Sequence, residues 1–242
     1  MRMRKKPNLV PRMERCAALL ETNPEERLGG WLNGTEYKAL HLEIGCGKGR
    51  FTTAAAGSMS DTLLIALERV EDAIVVAMER ALEAEVGNVR FLAKDAKELE
   101  ACFAPGELSR IYINFCDPWP KSRDAKHRLT SPFFLRSYAR LLPIGGEIHF
   151  KTDNRPLFDW SLEQLEAEGW TLKEQSFDLH RDGINGFMTD YEAKFHAEGV
   201  PICRTVAVRT EATRFDGVPE RLRNASLADA RANQTEGVSP CE

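Results

Sequence analysis

Short apolar runs that alternate with helix-like segments limit this chain to few folds more strongly than any other feature. The runs cover residues 39–44, 62–67, 89–93, 110–115 and 146–150. Residues 71–85 and 132–142 space their apolar side chains three and four positions apart, and a further helix is expected to begin near Phe51. Buried strands that alternate with helices are typical of an α/β fold with a largely parallel sheet.

The rest of the chain extends this pattern and then loses it. Residues 157–168 predict another amphipathic helix, residues 170–179 and 202–208 predict two more strands, and residues 182–186 predict a loop. From residue 211 the chain is polar and without periodicity, which predicts a disordered tail over residues 211–242. We therefore expect one domain over residues 1–210, which begins with a basic extension of about 15 residues.

Charge and cysteine usage exclude some functions. The 242 residues include 33 Lys and Arg against 37 Asp and Glu, so the net charge of −4 does not by itself indicate a nucleic-acid-binding protein. Basic residues nevertheless gather at the N-terminus and after Trp119, and a local basic surface can coexist with an acidic total. The six cysteines form no Cys-x-x-Cys pair, so we expect reduced thiols, no metal site and a cytoplasmic protein. No run approaches the roughly 18 apolar residues of a membrane span.

A glycine-rich loop follows the first predicted strand in the run Leu42-Glu43-Ile44-Gly45-Cys46-Gly47-Lys48-Gly49. Glycines at alternate positions allow a tight turn and a close approach of the backbone to a ligand, although a turn without a ligand would also use them. Arg50 stands where a dinucleotide-binding loop would have its third glycine. Glu43 would repel a pyrophosphate but suits a ligand with an ammonium or sulfonium charge. The loop therefore favours S-adenosylmethionine over NAD.

Acidic residues also follow the second and third predicted strands. Glu68 lies about 20 residues past the glycines, where an open α/β sheet places a carboxylate that accepts hydrogen bonds from ribose hydroxyls. Asp95 follows the third strand and is suited to the adenine amino group. Each acid alone is typical of a solvated turn or a helix cap. Three acids at successive strand ends indicate a cofactor crevice.

The segment after the fourth predicted strand is the most informative part of the chain. It reads Asp117-Pro118-Trp119-Pro120-Lys121, and a basic stretch follows it as far as Arg128. The two prolines stiffen the loop and would hold Asp117 in a fixed orientation beside the crevice. The basic residues suit phosphate groups, although a solvated loop with a packed tryptophan is the alternative.

This Asp-Pro-Trp-Pro-Lys segment resembles the signature of the bacterial tRNA (guanine-N7)-methyltransferases, and four other segments are similar to the same family. They are the start Met1-Arg2-Met3-Arg4-Lys5-Lys6-Pro7, the glycine loop, the run His149-Phe150-Lys151-Thr152-Asp153-Asn154-Arg155 and the late Thr189-Asp190-Tyr191-Glu192. The resemblance covers roughly residues 1–210. It implies a class I S-adenosylmethionine-dependent methyltransferase fold, which is Rossmann-like with a seven-stranded, mostly parallel sheet. The implied reaction is methyl transfer to N7 of the guanine at position 46 in the tRNA variable loop.

The resemblance also implies a role for each matching residue. Asp117 is the implied catalytic residue, and the residues implied to hold the methyl donor are Glu43, Gly45, Gly47, Glu68, Asp95 and Asp117. The residues implied to bind substrate are Lys121, Asp153, Thr189, Asp190, Tyr191 and Glu192. The residues implied to contact RNA are Arg123, Asp124, Ala125, Lys126, His127 and Arg128. Ser122 and Asp124 stand where the family usually has basic or neutral residues. The implied partner is tRNA, bound by a monomer or a homodimer.

The chemistry of guanine N7 requires no general base. Its in-plane lone pair is unprotonated at neutral pH and can attack the sulfonium methyl in line, so positioning and electrostatics would supply the catalysis. Cys46 and Cys116 lie near the predicted site, but N7 methylation needs no covalent adduct. Three other interpretations share these residues: a small-molecule methyltransferase, an amino-group methylase of the Asp-Pro-Pro-aromatic type, and a non-catalytic RNA-binding protein with a degenerate cofactor loop.

Overall fold

The computed structural model describes residues 7–215 and contains one seven-stranded sheet. Its strands, in chain order, are β1 (Ala39–Ile44), β2 (Thr62–Leu67), β3 (Val89–Leu92), β4 (Arg110–Asn114), β5 (Glu147–Thr152), β6 (Thr171–Ser176) and β7 (Cys203–Val208). They lie side by side in the order β3-β2-β1-β4-β5-β7-β6. Within the described range only β7 runs antiparallel to its neighbours, so the predicted mostly parallel sheet is confirmed.

Seven α-helices connect and cover these strands between residues 7 and 215. They are α1 (Leu9–Arg15), α2 (Arg50–Ser58), α3 (Glu71–Glu83), α4 (Leu99–Cys102), α5 (Pro132–Leu141), α6 (Arg155–Ala167) and α7 (Asp190–Ala197). Short 3-10 helices cover Ala17–Leu19, Pro24–Arg27, Ala96–Glu98 and Ser122–His127. Helix α6 begins at Arg155 because the Asn154 side chain accepts a hydrogen bond from the Leu157 amide and Pro156 occupies the first turn.

The predicted elements agree closely with the observed ones. Strands β1 and β2 have the predicted bounds, and the other predicted strands and helices differ by a few residues at their ends. Strand β5 continues to Thr152, beyond the predicted end at residue 150, because its ladder with β7 extends to the pair of Thr152 and Cys203. The sequence pattern does not predict α1, α4 and α7, since short helices show too few periodic positions.

Residues 211–215 pack against the turn that follows α6. The Thr213 hydroxyl donates a hydrogen bond to the Gly169 carbonyl oxygen at 3.0 Å, and the Arg214 amide donates to the Glu168 carbonyl oxygen at 2.9 Å. The rest of the predicted tail, and residues 1–6 of the predicted basic extension, lie outside the described residues. The domain boundary at residue 210 and the disordered tail stay predictions.

The two faces of the sheet differ in chemistry at its centre. One face sends apolar side chains into the larger hydrophobic core: Leu40, Leu42, Ile44, Ile111, Ile113, Ile148 and Phe150. The alternate positions place polar side chains on the other face: His41, Glu43, Arg110, Tyr112, Asn114, Glu147, His149 and Lys151. A second hydrophobic core under α2 and α3 covers β2 and β3 on that side. The polar row across β1, β4 and β5 therefore borders this second core, to which its member Tyr112 belongs.

The loop between β1 and α2 turns back through three glycines. Gly45, Gly47 and Gly49 have φ angles of 77°, 56° and 75°, in the left-handed region that glycine adopts at little cost. Gly49 also packs closely on α3, since a Cβ at this position would lie 2.7 Å from the Ala77 Cβ. Position 49 therefore requires glycine for two independent reasons.

Gly49→Ala is expected to destabilise the fold, because the added methyl group is strained by the positive φ and collides with Ala77. We expect the free energy of unfolding, measured by urea titration, to fall by about 2 to 4 kcal/mol. Gly87→Ala is the matched control, because a Cβ there would meet no atom within 4 Å. We expect that variant to change stability by no more than about 1 kcal/mol. Equal losses in the two variants would contradict the crowding at Gly49.

Candidate active site

Acidic residues lie at or near the ends of five neighbouring strands, on the edge where those parallel strands end. In the order of the sheet they are Asp95 after β3, Glu68 after β2, Glu43 near the end of β1, Asp117 after β4 and Asp153 after β5. Because the carboxyl ends of parallel strands share one edge, the topology brings all five to one side of the sheet. This is the side on which the sequence predicts a crevice.

Glu43 is buried beneath this edge rather than exposed on it. The residue is 1% exposed, and its carboxylate accepts hydrogen bonds from the Thr52 hydroxyl at 2.5 Å and from Asn114 Nδ2 at 3.2 Å. Burial raises the pKa of Glu43 to about 7, while the two hydrogen bonds oppose that rise. The carboxylate thus joins β1, α2 and β4 directly before the glycine loop.

Glu68 fastens the glycine loop to the end of β2. Its carboxylate accepts hydrogen bonds from the Gly47 amide at 3.1 Å and from the Val70 amide at 2.9 Å. The Leu67 carbonyl oxygen accepts two more from the amides of Gly45 and Cys46. Because Glu68 is only partly buried, the carboxylate that orders the loop is also accessible from solvent.

Asp95 begins the 3-10 helix that follows β3. Its Oδ1 accepts a hydrogen bond from the Lys97 amide at 3.0 Å, and the Glu98 carboxylate accepts one from the Asp95 amide, which completes a capping box. The other oxygen, Oδ2, lies 3.8 Å from the Arg69 guanidinium in an exposed ion pair. Capping therefore uses one carboxylate oxygen and leaves the second on the surface.

The loop that carries Asp117 has an unusual backbone. Phe115 and Trp119 have φ angles of 54° and 43°, a left-handed conformation that residues other than glycine rarely adopt. Asp117 lies between them and is exposed, and no hydrogen bond or ion pair with the described part of the chain engages its carboxylate. Its acceptor oxygens are therefore available to a ligand.

The basic stretch after Asp117 forms the 3-10 helix Ser122–His127 and divides into outward and inward side chains. The exposed basic side chains are those of Lys121, Arg123 and Lys126. Asp124 lies 3.9 Å from Arg123, and Ala125 is partly buried. The His127 ring packs on Trp119 with the ring centroids 5.2 Å apart. Arg128 turns inward and donates hydrogen bonds to backbone carbonyl oxygens of the Asp117 loop.

The predicted substrate segment is the start of α7, and most of its side chains are engaged within the protein. Thr189 caps the helix, because its hydroxyl accepts a hydrogen bond from the Glu192 amide at 3.0 Å. Asp190 forms an ion pair with Arg80 of α3 at 3.0 Å. Glu192 is fully buried, whereas Tyr191 is 56% exposed. Tyr191 is thus the member of the segment whose side chain is turned to solvent.

Glu192 forms a buried network with Lys151 and His180. Lys151 Nζ donates hydrogen bonds to Glu192 Oε2 at 2.6 Å and to the Phe187 carbonyl oxygen at 2.8 Å. His180 Nδ1 accepts a hydrogen bond from the Asn185 amide, so the ring hydrogen is on Nε2. This Nε2–H donates a hydrogen bond to Glu192 Oε1 at 2.9 Å. Burial lowers the pKa of Lys151, and the Glu192 carboxylate opposes that shift. The network holds α7 and the preceding loop against β5.

A cavity of about 170 Å³ lies beside this network on the polar face of the sheet. Its walls include the rings of Phe51 and Phe187 and the polar side chains of Asn114 and Lys151. Asn114 Oδ1 is buried and has no hydrogen-bond partner among residues 7–215. The cavity therefore borders an unused acceptor at the end of β4, the strand that leads to Asp117.

Several residues that hold the site together were not predicted from the sequence: Thr52, Arg80, Asn114, Lys151 and His180. For Arg128 the sequence resemblance implies an RNA contact, and its hydrogen bonds to the Asp117 loop were not predicted. A signal for two of those five residues was present. Alternate positions of the apolar strands β4 and β5 are polar, and this pattern predicts a buried polar face that includes Asn114 and Lys151. The partners of Arg80 and His180 follow only from the folded chain.

Neither cysteine near the site has the lowered pKa of an activated nucleophile. Burial raises the pKa of Cys116 to about 12 and that of Cys46 well above its ordinary value. Burial therefore favours the protonated thiols at neutral pH and disfavours the thiolate that a covalent mechanism requires.

Metal and membrane features can be stated for residues 7–215. In that range, three or more His, Cys, Asp or Glu side chains nowhere come together in a group that could hold a metal ion. None of the helices there has the length and apolar character needed to cross a membrane.

The residues at the strand ends fit the methyl donor that the sequence predicts. A Cβ on Gly45 or Gly47 would meet no atom within 4 Å, so the glycine loop borders open space. The carboxylates of Glu68, Asp95 and Asp117 lie along the same edge and can accept hydrogen bonds from hydroxyl and amino groups. They also favour a sulfonium cation, whereas a pyrophosphate would be repelled.

Comparison with solved structures identifies the class of fold. The chain is similar to the 16S rRNA methyltransferase KamB, with a TM-score of 0.57 and 15% identity over 72% of this chain and 89% of that one. It is also similar to the precorrin-6y C5,15-methyltransferase of Geobacter metallireducens GS-15, with a TM-score of 0.51 and 15% identity over 86% and 94% of the two chains. The chain therefore has the Rossmann-like fold of the class I S-adenosylmethionine-dependent methyltransferases.

Comparison of sequences identifies the family. A family model described as "Putative methyltransferase" matches residues 37–205. The tRNA (guanine-N(7)-)-methyltransferase of Listeria monocytogenes serotype 4b (strain F2365) is 46% identical over 210 residues, which cover 86% of this chain and 98% of the relative. The chain belongs to the tRNA (guanine-N(7)-)-methyltransferase family, as its sequence motifs predict.

Glu43 gives the stability of the fold a pH dependence of definite sign. Its pKa of about 7 in the fold exceeds the ordinary 4.5, so stabilisation present below pH 4.5 is lost as the pH rises through 7. Glu43→Gln replaces the carboxyl group with an amide that does not titrate in this pH range. Between about pH 4.5 and about pH 8, we expect the unfolding free energy of the wild type to fall relative to that of the variant by on the order of 2 to 3 kcal/mol. Urea titrations of both proteins across this range measure the difference, and a difference that stays constant would contradict the assignment.

Proposed function

We propose that this protein transfers the methyl group of S-adenosylmethionine to N7 of the guanine at position 46 in the tRNA variable loop. The products are 7-methylguanosine in the tRNA and S-adenosyl-L-homocysteine. The Asp117 loop carries the proposal, because it places an exposed carboxylate at the ligand edge of a methyltransferase fold and leads directly into exposed basic side chains. A small-molecule methyltransferase would have no use for that basic stretch.

The methyl donor is held along the strand ends in this proposal, by Glu43, Gly45, Gly47, Glu68, Asp95 and Asp117. When bound, S-adenosylmethionine supplies a methyl group on a positively charged sulfonium. Glu68 accepts hydrogen bonds from the ribose hydroxyls while it orders the glycine loop through the Gly47 amide. Asp95 binds the adenine amino group through the oxygen that capping leaves unused. Glu43 contributes indirectly, because its buried carboxylate accepts hydrogen bonds from Thr52 and Asn114 beneath the site and so holds both side chains in place.

Asp117 is the proposed catalytic residue, and its contribution is electrostatic. Guanine N7 requires no general base, so in-line attack depends on orientation rather than on proton removal. Positive charge moves onto the purine during the transfer, and a fixed carboxylate stabilises that charge. Asp117 and Asp153 can also accept hydrogen bonds from the guanine N1–H and amino groups.

The guanine side of the proposed site comprises Lys121, Asp153, Thr189, Asp190, Tyr191 and Glu192. Lys121 and Tyr191 are exposed and can reach the nucleotide directly. Asp190 and Glu192 contribute by holding α7 through Arg80 and Lys151. The network around Glu192 therefore sets where the exposed members of the segment point.

The proposed tRNA surface lies on the stretch of residues 123–128, in which Arg123 and Lys126 are exposed, whereas Arg128 is directed at the backbone of the Asp117 loop. Its exposed cations make a local basic patch on a chain whose net charge is −4. The described part of the N-terminal extension contributes less, because Arg12 and Arg15 both pair with Glu79 of α3, at 2.5 Å and 3.0 Å. Arg123 and Lys126 are therefore the first candidates for phosphate contacts.

The reaction product tests the proposed function. Incubation with unmodified tRNA and labelled S-adenosylmethionine, followed by digestion to nucleosides, should yield 7-methylguanosine, whereas N6-methyladenine would indicate an amino-group methylase. Asp117→Asn keeps the size of the side chain but removes its charge, so we expect kcat to fall about 100-fold or more. Asp159→Asn, a half-exposed acid on α6, is the control and should retain activity. Full turnover of D117N together with an inactive Lys121→Ala would show that the catalytic role is wrongly assigned.

The affinity for tRNA is expected to fall as the salt concentration rises, because binding releases counterions from the RNA. Each lost phosphate contact reduces the slope of log affinity against log salt by about 0.7 to 0.9. Arg123→Ala should therefore bind more weakly and show a flatter slope in a filter-binding series. Lys173→Ala removes an exposed lysine from β6 and should leave the slope unchanged. Binding that does not respond to salt would speak against a basic tRNA surface.

A further inference from the structure

The Asp117 loop holds two residues in a backbone conformation that costs energy. Phe115 and Trp119 have positive φ without being glycine, and such residues persist only where their surroundings impose the conformation. On the Phe115 side, the ring stacks on Phe195 of α7 with centroids 6.2 Å apart, and the amide donates a hydrogen bond to the Lys151 carbonyl oxygen at 2.9 Å. The Trp119 side requires a restraint of its own.

Arg128 supplies that restraint. Its Nε donates a hydrogen bond to the Pro118 carbonyl oxygen at 3.0 Å, and its Nη2 donates one to the Trp119 carbonyl oxygen at 2.9 Å. The guanidinium carbon lies 4.3 Å from the centre of the Trp160 ring on α6, in a cation–π contact. Trp160 in turn packs against the larger hydrophobic core. The guanidinium thus connects the loop backbone to a rigid part of the fold.

Arg128 differs in this respect from the other cations of the same stretch. Lys126 is exposed, and its side chain makes no hydrogen bond or ion pair with the described part of the chain. Arg123 is exposed, and among residues 7–215 its guanidinium pairs with Asp124 alone, at 3.9 Å. Those two cations are free to meet a phosphate, whereas the donors of Arg128 are directed at the protein's own carbonyl oxygens.

We propose that Arg128 is a positioning residue for methyl transfer, which fixes the backbone of Pro118 and Trp119 and thereby the direction of the Asp117 carboxylate. The inference rests on the proposed role of Asp117 in that reaction. Arginine is required because its planar fork serves two carbonyl oxygens while its face stacks on an indole. Lysine offers the same charge at a single point and cannot make this set of contacts.

Arg128→Lys tests the restraint without reference to activity. Protein labelled with 5-fluorotryptophan should give one fluorine signal for each of its four tryptophans. In R128K we expect the signals of Trp119 and Trp160 to shift or broaden, because both lose a contact with the guanidinium. Trp31 and Trp170 are buried elsewhere, at 3% and 4% exposure, and serve as internal controls for the fold.

Steady-state kinetics of the same variant test the positioning role. We expect kcat on tRNA to fall on the order of tenfold to 100-fold, while KM for tRNA and its salt dependence stay within about twofold of the wild type. Lys126→Ala should show the opposite pattern, with a raised KM and an unchanged kcat. Trp160→Leu removes the stacked ring but keeps an apolar side chain, so it should lower kcat less strongly. It provides the same test if R128K does not fold.

The outcomes separate this inference from the proposed function. A raised KM with an unchanged kcat in R128K would identify Arg128 as an RNA contact and overturn the positioning role. Unchanged signals of Trp119 and Trp160 would also overturn the positioning role, because the loop would then not depend on Arg128. Altered signals with a normal kcat would overturn it as well, because the loop would then be held without consequence for catalysis. If the wild type forms no 7-methylguanosine, the proposed function fails, while the fluorine spectra still decide whether Arg128 restrains the loop.

Discussion

The parallel direction of β3, β2, β1, β4 and β5 is the constraint on which the whole candidate site depends, since it brings their carboxyl ends to one edge. For this reason alone, residues as far apart in sequence as Glu43, near the end of β1, and Asp153, after β5, belong to the same edge of the sheet. Burial of the Glu43 carboxylate secures the arrangement locally. A buried carboxylate is costly unless it is hydrogen-bonded, and Thr52 and Asn114 satisfy it from α2 and β4. One side chain therefore sets the glycine loop, the first turn of α2 and the end of β4 relative to each other.

Three acids with a proposed ligand role, Glu68, Asp95 and Asp190, also have structural partners inside the protein. Glu68 accepts a hydrogen bond from the Gly47 amide. Asp95 caps a 3-10 helix with one carboxylate oxygen and leaves the other exposed. Asp190 is paired with Arg80 of α3. Such double use fits a site that depends on orientation, because a side chain is held in a productive position by contacts that exist before the ligand arrives. These three charges thus serve the fold as well as the proposed ligand.

The sequence predicts the elements of this fold better than it predicts the connections between them. A nearly continuous apolar run defines β2 because that strand is buried on both faces, and the apolar residues at alternate positions define β1. The acids near the strand ends can be read from the same runs. The ion pair of Arg80 with Asp190 joins positions 110 apart, and nothing in the residue types indicates which acid an arginine will meet. The sequence likewise gives no sign that Arg128 turns inward, since this residue belongs to a stretch of otherwise exposed cations. The positive φ of Trp119 also depends on those contacts rather than on local preference.

The position of β7 has a consequence for the order in which the protein can be completed. Strand β7 is the last strand within residues 7–215, yet it lies between β5 and β6 and pairs with both. While a ribosome is still translating the codons before residue 203, β5 has an open edge and β6 has no neighbour in the sheet. Exposed strand edges favour pairing with other chains. The strands that present the proposed donor-binding acids can therefore assemble on the nascent chain first, and the side that holds α7 is closed only by the final strand.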